Sequence, residues 1–329
     1  MTLLAALFCS GAAGAAGPPA GASGQAEDSH GKIGIRLLEA PVSRRDDPRA
    51  RAYIVDHLSP GTTIRRRLEI SNTSGEAQHI DLYPAGADIV RDRFTMARGR
   101  TPNELTGWMS LDRPSLDLPP GGRGAARVVI EVPPEASRGE RYGVVWAQAV
   151  AEADAAHPVR VVSRVGIRVY LDIGRGGEPP SDFRIEELTP VRAPDGRPQL
   201  AALVHNTGAR ALDMSGSLSL SDGPGGLSAG PFAADLGVTL LPGAAAPVTV
   251  TLDRRIPDGP WKVELTLMSG TVKRTVSATV TFPRAGAGPP VPLDSGLLSL
   301  FGVVGGLVAL LVAVAVLVVR LRRRRAAVG

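Results

Sequence analysis

The sequence predicts an all-β protein with two tandem Ig-like antiparallel β-sandwiches followed by one C-terminal transmembrane helix. Three observations predict this architecture. Apolar residues alternate with polar ones from residue 32 to residue 282, and Gly, Pro and Asn clusters separate the alternating runs, which is typical of strands and turns. Short motifs occur twice in the same order, and an uncharged run of 23 residues, apolar except for Ser299, lies near the end.

The apolar run at residues 297–319 is predicted to cross the lipid bilayer. It contains no charge and no proline, and a helix of this length spans a hydrocarbon core of about 30 Å. Five arginines follow within residues 320–329, and basic residues mark the cytoplasmic end of a span. We therefore expect a single-pass cell-membrane protein with its N-terminus outside and its C-terminus in the cytoplasm. Gly302 and Gly306 have the GxxxG spacing that permits a homodimer.

At the other end of the chain, residues 1–26 resemble a secretory signal peptide. They combine a short apolar run with small residues, although no Lys or Arg precedes Lys32, so that the usual basic n-region is missing. The one cysteine of the chain, Cys9, lies in this segment. If the segment is cleaved, the mature protein contains no disulfide, and its hydrophobic cores must hold it together.

The formal net charge of +5 comes from the C-terminal tail. The chain contains 37 Lys and Arg against 32 Asp and Glu, and five of the arginines follow residue 319. The other 32 basic residues balance the 32 acidic ones, so that the rest of the chain is formally neutral. Because a nucleic-acid interface needs a basic patch, we expect no nucleic-acid partner.

The repeated motifs divide the region before the span into two sandwiches. An Asn-Thr motif occurs at Asn72 and Asn206, and a Leu-Pro motif occurs at Leu118 and Leu241. We interpret both motifs as hairpin turns. In each copy, an aromatic residue shortly after a glycine is predicted to fill the core of its sandwich. These aromatic residues are Tyr142 and Trp261. Each copy has the length and strand count of a seven-stranded sandwich.

These boundaries give the predicted domain organisation. Residues 32–175 form the first sandwich, residues 181–283 form the second, and residues 284–296 form a stalk rich in Pro and Gly. In the first sandwich, one strand shows the alternation clearly, because one face is apolar at Val161, Val165, Ile167, Val169, Leu171 and Ile173. Its opposite face carries arginines and is predicted to be solvated; these are Arg160, Arg164 and Arg168.

An insert of more than 30 residues interrupts the first sandwich between strands predicted at residues 80–83 and 116–118. Loops this long in a compact domain are usually functional or disordered, and the aromatics of this insert argue against disorder. Arginines pair with carboxylates in two-point contacts, and aromatic rings stack on sugars. We therefore place the ligand-binding residues here, with a sandwich-end cap and a solvated face as the alternative. The candidates are Arg91, Phe94, Arg100, Asn103, Glu104 and Trp108.

Several motifs of this first sandwich occur in an order that resembles the WxL-protein peptidoglycan-binding domain family, in an actinobacterial form. The motifs are Tyr53-Ile-Val-Asp56-His57, Pro60-Gly-Thr-Thr63, Asn72, Tyr83-Pro84, Gly99-Arg-Thr101, Asn103-Glu-Leu105, Trp108 and the run from Gly139 to Trp146. The resemblance covers residues 33–170 and implies a signal peptide, two Ig-like domains and a C-terminal membrane helix. It also implies that the first domain binds peptidoglycan and that the second binds a surface protein, although the second shows no matching motif.

The sequence predicts no catalytic residue, no metal site and no cofactor. Ser228 lies in a GxSxG pattern, but Gly and Pro residues precede it where a hydrolase needs a strand, and Pro231 follows where a helix must start. No histidine has a metal-ligand spacing to another; His57 and His79 could meet across two strands, but isolated histidines within the sandwich are the simpler interpretation.

Together these observations predict a membrane-anchored cell-surface protein that is not an enzyme. Its first extracellular domain is expected to bind peptidoglycan or another wall component, and its second domain is expected to hold a partner surface protein. The alternative is a non-catalytic accessory or sensor subunit of a membrane complex, which would work through helix contacts and the two sandwiches.

Overall fold

The computed structural model describes residues 33–151, 159–291 and 293. These ranges contain twenty β-strands and two α-helices of four residues each, so the fold class is all-β. No helix within them is long and apolar enough to cross a membrane. Several predicted segments lie outside the described residues: the signal peptide (1–26), the span (297–319) with Gly302 and Gly306, and the tail (320–329).

Ten strands and both helices belong to the first sandwich. The strands are β1 (Ile33–Leu37), β2 (Ile54–Leu58), β3 (Thr63–Asn72), β4 (Gln78–Val90), β5 (Arg93–Met96), β6 (Met109–Leu111), β7 (Ser115–Leu118), β8 (Arg123–Glu131), β9 (Gly139–Ala151) and β10 (Val161–Ile173), and the helices are α1 (Arg49–Ala52) and α2 (Glu104–Gly107). One sheet has the order β1-β3-β8-β6; the other has the order β2-β10-β9-β4-β5, with β7 also paired to β4. The pairs are antiparallel except β2 with β10.

The core of the first sandwich lies between these two sheets, as the alternating sequence predicts. Leu68 and Ile70 of β3 point into it and have no solvent exposure, and Val169 and Leu171 of β10 meet them from the other sheet. Burying each of these side chains contributes about 1.5–3 kcal/mol relative to leaving it exposed. Since one-residue shifts would turn the apolar side chains outward, burial also fixes the strand register.

The second sandwich contains the other ten strands. They are β11 (Phe183–Arg192), β12 (Pro198–Asn206), β13 (Leu212–Asp213), β14 (Ser215–Ser221), β15 (Ala229–Ala233), β16 (Thr239–Leu240), β17 (Ala245–Thr251), β18 (Trp261–Ser269), β19 (Val272–Val280) and β20 (Gly286–Ala287). They form sheets of order β17-β12-β11-β20 and β15-β14-β18-β19 and the pair β13-β16. Trp261 is 1% exposed and lies in the core, as predicted. Tyr142, by contrast, lies outside the main core of the first sandwich.

The repeated motifs do not turn hairpins, which corrects the prediction. β3 and β4 belong to opposite sheets, so the chain crosses from one sheet to the other after Asn72, and it also changes sheets after Asn206, between β12 and β13. Both asparagines are fully buried. Each asparagine side chain forms hydrogen bonds within its own connection between the sheets. Each also donates to the carbonyl that begins the Leu-Pro turn, which is that of Leu118 at 3.0 Å or that of Leu240 at 3.0 Å. The repeat therefore encodes an arch between sheets.

Part of the predicted stalk, residues 284–296, packs on the second sandwich, which corrects that prediction as well. β20 pairs with β11, and the backbone N–H of Val291 donates to the Leu188 carbonyl at 2.9 Å. Val291 and Leu293 contact the core. A two-residue strand leaves no alternation to detect, so the Pro and Gly content alone suggested a free linker.

Candidate functional site

The predicted insert begins as a β-hairpin whose tip contacts the second sandwich. β4 runs 13 residues to Val90, and Arg91 and Asp92 then form a two-residue turn with φ angles of 50° and 56°. Such left-handed turns match the twist of paired strands. The Asp92 carbonyl accepts a hydrogen bond from the Thr239 backbone N–H at 2.8 Å. The hairpin thus connects the two sandwiches, and Arg91 belongs to its turn.

Phe94 lies on β5, the second strand of the hairpin, and is only 7% exposed. Its ring is 4.9 Å from the Tyr170 ring and 6.3 Å from the Tyr142 ring, between centroids. The Arg168 guanidinium lies 4.8 Å from the Phe94 ring centroid. Phe94 is therefore enclosed by other side chains and is not free to stack on a sugar, which favours the alternative of a capping role.

The arginine face that the sequence predicts to be solvated is only partly so, because Arg160 is exposed whereas Arg164 and Arg168 are half-buried. Arg164 lies 5.3 Å from the Trp146 ring centroid, and Arg168 lies 5.4 Å from that of Tyr53. Tyr170, on the same face, has no solvent exposure, and its hydroxyl donates to Asp213 of the second sandwich at 2.7 Å. Burial and the neighbouring Asp213 raise the pKa of Tyr170. Aromatic rings from other strands supply the cover, and one-strand periodicity cannot reveal them.

The helix α2 sits where β4 and β9 diverge. Gly86 and Gly143 are opposite each other at the last pair of these strands. A Cβ at Gly86 would lie 3.1 Å from Asn103, and one at Gly143 would lie 3.2 Å from Leu105. Asn103 caps α2 by accepting from the Thr106 N–H at 3.1 Å, and its amide donates to the Tyr142 carbonyl at 2.8 Å. The two glycines thus leave room for the helix.

A groove of about 530 Å³ opens beside α2, between the hairpin and β9. Three carboxylates line it, from Asp88, Glu104 and Glu140, together with Arg141. Arg141 Nε donates to Glu104 at 2.7 Å, so this carboxylate is partly neutralised. The remaining lining includes the Tyr142 ring, Met96, Ala87, Ala97, Asn103, Thr95, Pro102 and Gly86. The groove therefore combines acceptor oxygens with an apolar wall, and its size is typical of ligand pockets.

The remaining candidates lie away from the groove. The Arg100 side chain is 59% exposed; its guanidinium lies 4.0 Å from the Tyr83 ring centroid and 3.5 Å from Asp81. Trp108 is half-buried and packs against the main core. Of the six predicted residues, only Asn103 and Glu104 line the groove. The insert thus contributes two of the six predicted residues to the groove, and its fold separates its aromatics and arginines.

A buried ion network joins the two sandwiches. Arg210 of the second sandwich is 3% exposed, and its Nε donates to Glu140 of β9 at 3.3 Å. It also contacts Glu178, in the segment between the sandwiches. Glu140 further accepts from the Ala211 N–H at 2.6 Å and from the Tyr142 hydroxyl at 2.9 Å. Burial lowers the pKa of Arg210 and raises that of Tyr142, because it disfavours their charged forms.

No sequence pattern indicated these network residues. Arg210 comes four positions after Asn206, and Glu76 comes four positions after Asn72. The backbone carbonyl of each accepts a hydrogen bond from the side-chain amide of its asparagine, at 2.7 Å in both copies. The repeat thus fixes the backbone of Arg210 and leaves its side chain to reach the first sandwich. Comparing equivalent positions in the two copies would have singled it out.

The histidines do not meet. His57 Nδ1 lies 2.6 Å from Asp172, and its Nε2 lies 3.1 Å from the Gly176 carbonyl. His79 instead lies 2.6 Å from Asp117. Among the residues that the structure describes, no group of three or more His, Cys, Asp or Glu could hold a metal ion.

Comparison with known proteins finds similarity of architecture. No family model and no curated protein matches the sequence. Similar solved structures include the Pseudomonas aeruginosa CupB2 chaperone (12% identity, TM-score 0.38, covering 70% of this chain and 97% of that chain) and the YadV chaperone (10%, 0.39, 75% and 99%). A third is the Salmonella enterica SafA pilin in complex with the SafB chaperone (11%, 0.39, 80% and 96%).

Proposed function

We propose that this protein is a membrane-anchored, non-enzymatic cell-surface protein whose first sandwich binds peptidoglycan or another wall component. The observation that carries the proposal is the groove beside α2, which lies between β9 and the insert that contains several of the motifs resembling peptidoglycan-binding domains. The anchor is the span predicted at residues 297–319. The second sandwich is proposed to hold a partner surface protein, as that resemblance implies.

The groove matches the chemistry of a wall stem peptide. Such peptides carry ammonium groups, carboxylates and short apolar side chains. Asp88 is exposed, and the Glu104 side chain is 52% exposed, so both carboxylates can reach an ammonium group. Met96 and the Tyr142 ring offer apolar surface beneath. Arg100, exposed on the adjoining face, would contact a carboxylate outside the groove.

Binding to purified sacculi tests this proposal. The full chain in detergent should sediment with sacculi, and Asp88→Asn should weaken binding about tenfold or more, because a charge-assisted contact contributes about 1.5–3 kcal/mol. Arg100→Ala should weaken it as well. Asp195→Asn is the matched control, since Asp195 is exposed at a turn of the second sandwich. A folded full chain without affinity for sacculi would contradict the proposal.

The accessory or sensor subunit is the second candidate, and one surface favours it. Among the residues that the structure describes, three valines at the start of β10 are exposed: Val159 by 68%, Val161 by 39% and Val162 by 45%. Exposed apolar clusters often mark protein contacts. On this reading, replacing Val161 and Val162 with Ser would abolish copurification with a membrane complex and leave sacculus binding unchanged.

A further inference from the structure

A second cavity, distinct from the groove, lies between the two sandwiches. It has a volume of about 410 Å³, and α1, the segment that joins the sandwiches and the β18–β19 turn all contribute to its wall. Three arginines and three acidic residues line it: Arg44, Arg49, Arg210, Asp46, Asp47 and Glu178. The lining is therefore charged but formally balanced, which fits a ligand that carries both signs of charge.

Two residues of the cavity wall, Ser269 and Arg49, carry buried donor atoms that form no hydrogen bond with the described residues. Ser269 is 3% exposed, lines the cavity, and its Oγ has no hydrogen-bond partner in the described ranges. Arg49 donates through Nη1 to the Ala211 carbonyl at 3.1 Å, whereas its buried Nε and Nη2 form no hydrogen bond there. Nη2 lies 3.2 Å from Asp213 Oδ2, which is close enough for an ion pair but lacks hydrogen-bond geometry. Buried donors of this kind are rare in native proteins, because each loses its water without replacement.

The arginines of the wall also repel one another. Burial is the main cause that lowers the pKa of Arg210; Glu140 opposes this shift, and Arg44 and Arg49 add to it. Burial likewise lowers the Arg44 pKa, and Arg49 adds to the effect against the nearby aspartates. Glu178 contacts both Arg44 and Arg210, and Asp213 pairs with Arg49 Nη2, but Arg49 Nε has no acceptor among the described residues. A ligand carboxylate beside Arg49 would add the acceptor that Nε lacks.

Asp46 offers the opposite charge at the same cavity. It is exposed, and no hydrogen bond or ion pair of its carboxylate occurs with the residues that the structure describes. Asp47, in contrast, accepts from the Arg49 N–H at 2.9 Å. A free carboxylate at the rim and buried donors deeper in the wall would hold the two ends of a zwitterion.

We propose that this cavity binds an amino acid or short peptide as a zwitterion. The ligand carboxylate accepts hydrogen bonds from Ser269 and Arg49, and its ammonium group pairs with Asp46. The inference is independent of wall binding, because it uses neither the groove nor Arg100.

Calorimetry on the full chain with defined probes tests the ligand chemistry. Alanine, dialanine and tetra-alanine distinguish a free amino acid from a peptide as the source of the zwitterion. Amidating the dialanine C-terminus or acetylating its N-terminus should weaken binding about tenfold or more, because each change removes one charge. Absence of binding by all three zwitterions at about millimolar concentration would overturn the proposal, even if sacculus binding remains intact.

Two variants test the assigned residues. Ser269→Ala should weaken dialanine binding about tenfold without lowering the melting temperature of the free protein, because it removes a donor that has no partner to lose. Asp46→Asn should weaken dialanine binding and spare N-acetyl-dialanine. Ser219→Ala and Asp195→Asn, at exposed positions of the second sandwich, are the matched controls. Dialanine affinity that is unchanged in Ser269→Ala would overturn the assignment.

Discussion

Two asparagines without solvent exposure hold the crossings between sheets in both sandwiches. The Asn72 amide donates to the carbonyls of Glu76, Leu118 and Pro119 at 2.7–3.0 Å, and its oxygen accepts from the Ser74 N–H at 3.0 Å. Asn206 repeats this arrangement with Arg210 and Leu240. A side chain that satisfies several buried backbone groups at once explains why the repeat retains asparagine at this place.

Replacing Asn72 with Ala should therefore lower the free energy of unfolding by about 2–3 kcal/mol or more, because several buried backbone groups lose their partner. Urea denaturation of the full chain, with a probe in the first sandwich, measures this loss. Glu76→Ala is the control: its side chain is exposed, and its backbone carbonyl remains in place. A loss below about 0.5 kcal/mol for Asn72→Ala would contradict the arch interpretation.

A pH-dependent contact lies on the first sandwich at His79. A hydrogen bond to Asp117 raises the pKa of His79 above its ordinary value of 6.5, and the charges of Asp117 and Asp81 add to the effect. This contact stabilises the fold below the ordinary imidazole pKa, and its contribution is lost as the pH rises through the raised value. NMR titration should show Asp117→Asn returning the His79 pKa toward 6.5, and Asp195→Asn leaving it unchanged. An unaltered His79 titration in Asp117→Asn would refute the assigned cause.

At the scale of elements, the hairpin shows how far the sequence could be interpreted. Its length and aromatic content correctly indicated an ordered insert, but nothing in the sequence analysis indicated that Asn103, a predicted ligand-binding residue, caps α2. The sequence did not indicate a turn at Arg91 and Asp92, because Arg-Asp is not one of the pairs, such as Asn-Gly, that usually adopt a left-handed turn. The sequence also did not indicate what the hairpin contacts, since Thr239 is distant in sequence and its hydrogen bond with Asp92 joins backbone atoms alone.

The turn itself provides a test of this geometry. Changing Arg91→Asn together with Asp92→Gly should raise the free energy of unfolding by about 1 kcal/mol, because left-handed backbone costs most L-residues about 1–2 kcal/mol. The contact of the Asp92 carbonyl with Thr239 uses only backbone and should survive. Arg91→Val should have the opposite sign, since a β-branched residue is disfavoured at positive φ. Equal stability of both variants in urea titrations would exclude the left-handed turn.

At the scale of the whole molecule, the repeat predicts two sandwiches but not how they meet. Strand alternation depends on each residue and its near neighbours, and these neighbours suffice to place the two cores. The contact between the sandwiches depends on single long side chains, such as Arg210 reaching Glu140 over 70 positions of sequence. The spacing of apolar residues in the sequence does not indicate such pairs. For the same reason the groove and the interdomain cavity emerge only when the strands are assembled.

The last prediction concerns the coupling of the two sandwiches through this buried pair. The side chains of Arg210 and Glu140 are 4% and 8% exposed, so solvent screens their interaction little. Removing Arg210 leaves the buried Glu140 carboxylate without its cation, and such losses reach about 3–5 kcal/mol. Removing Glu140 costs less, because Arg210 keeps its contact with Glu178. A double-mutant cycle with Arg210→Gln and Glu140→Gln, measured by unfolding of the full chain, should therefore give a coupling energy of about 1–3 kcal/mol.

The matched control is the pair Arg123 and Glu69, which lies within the first sandwich with 66% and 20% side-chain exposure and an N–O distance of 3.4 Å. Its coupling energy should stay below about 1 kcal/mol, because solvent weakens exposed ion pairs. Equal coupling in both cycles would mean that the buried pair does not hold the sandwiches together. Strong coupling of the Arg210–Glu140 pair alone would instead mean that this one buried pair largely determines the shape of the cavity between the sandwiches.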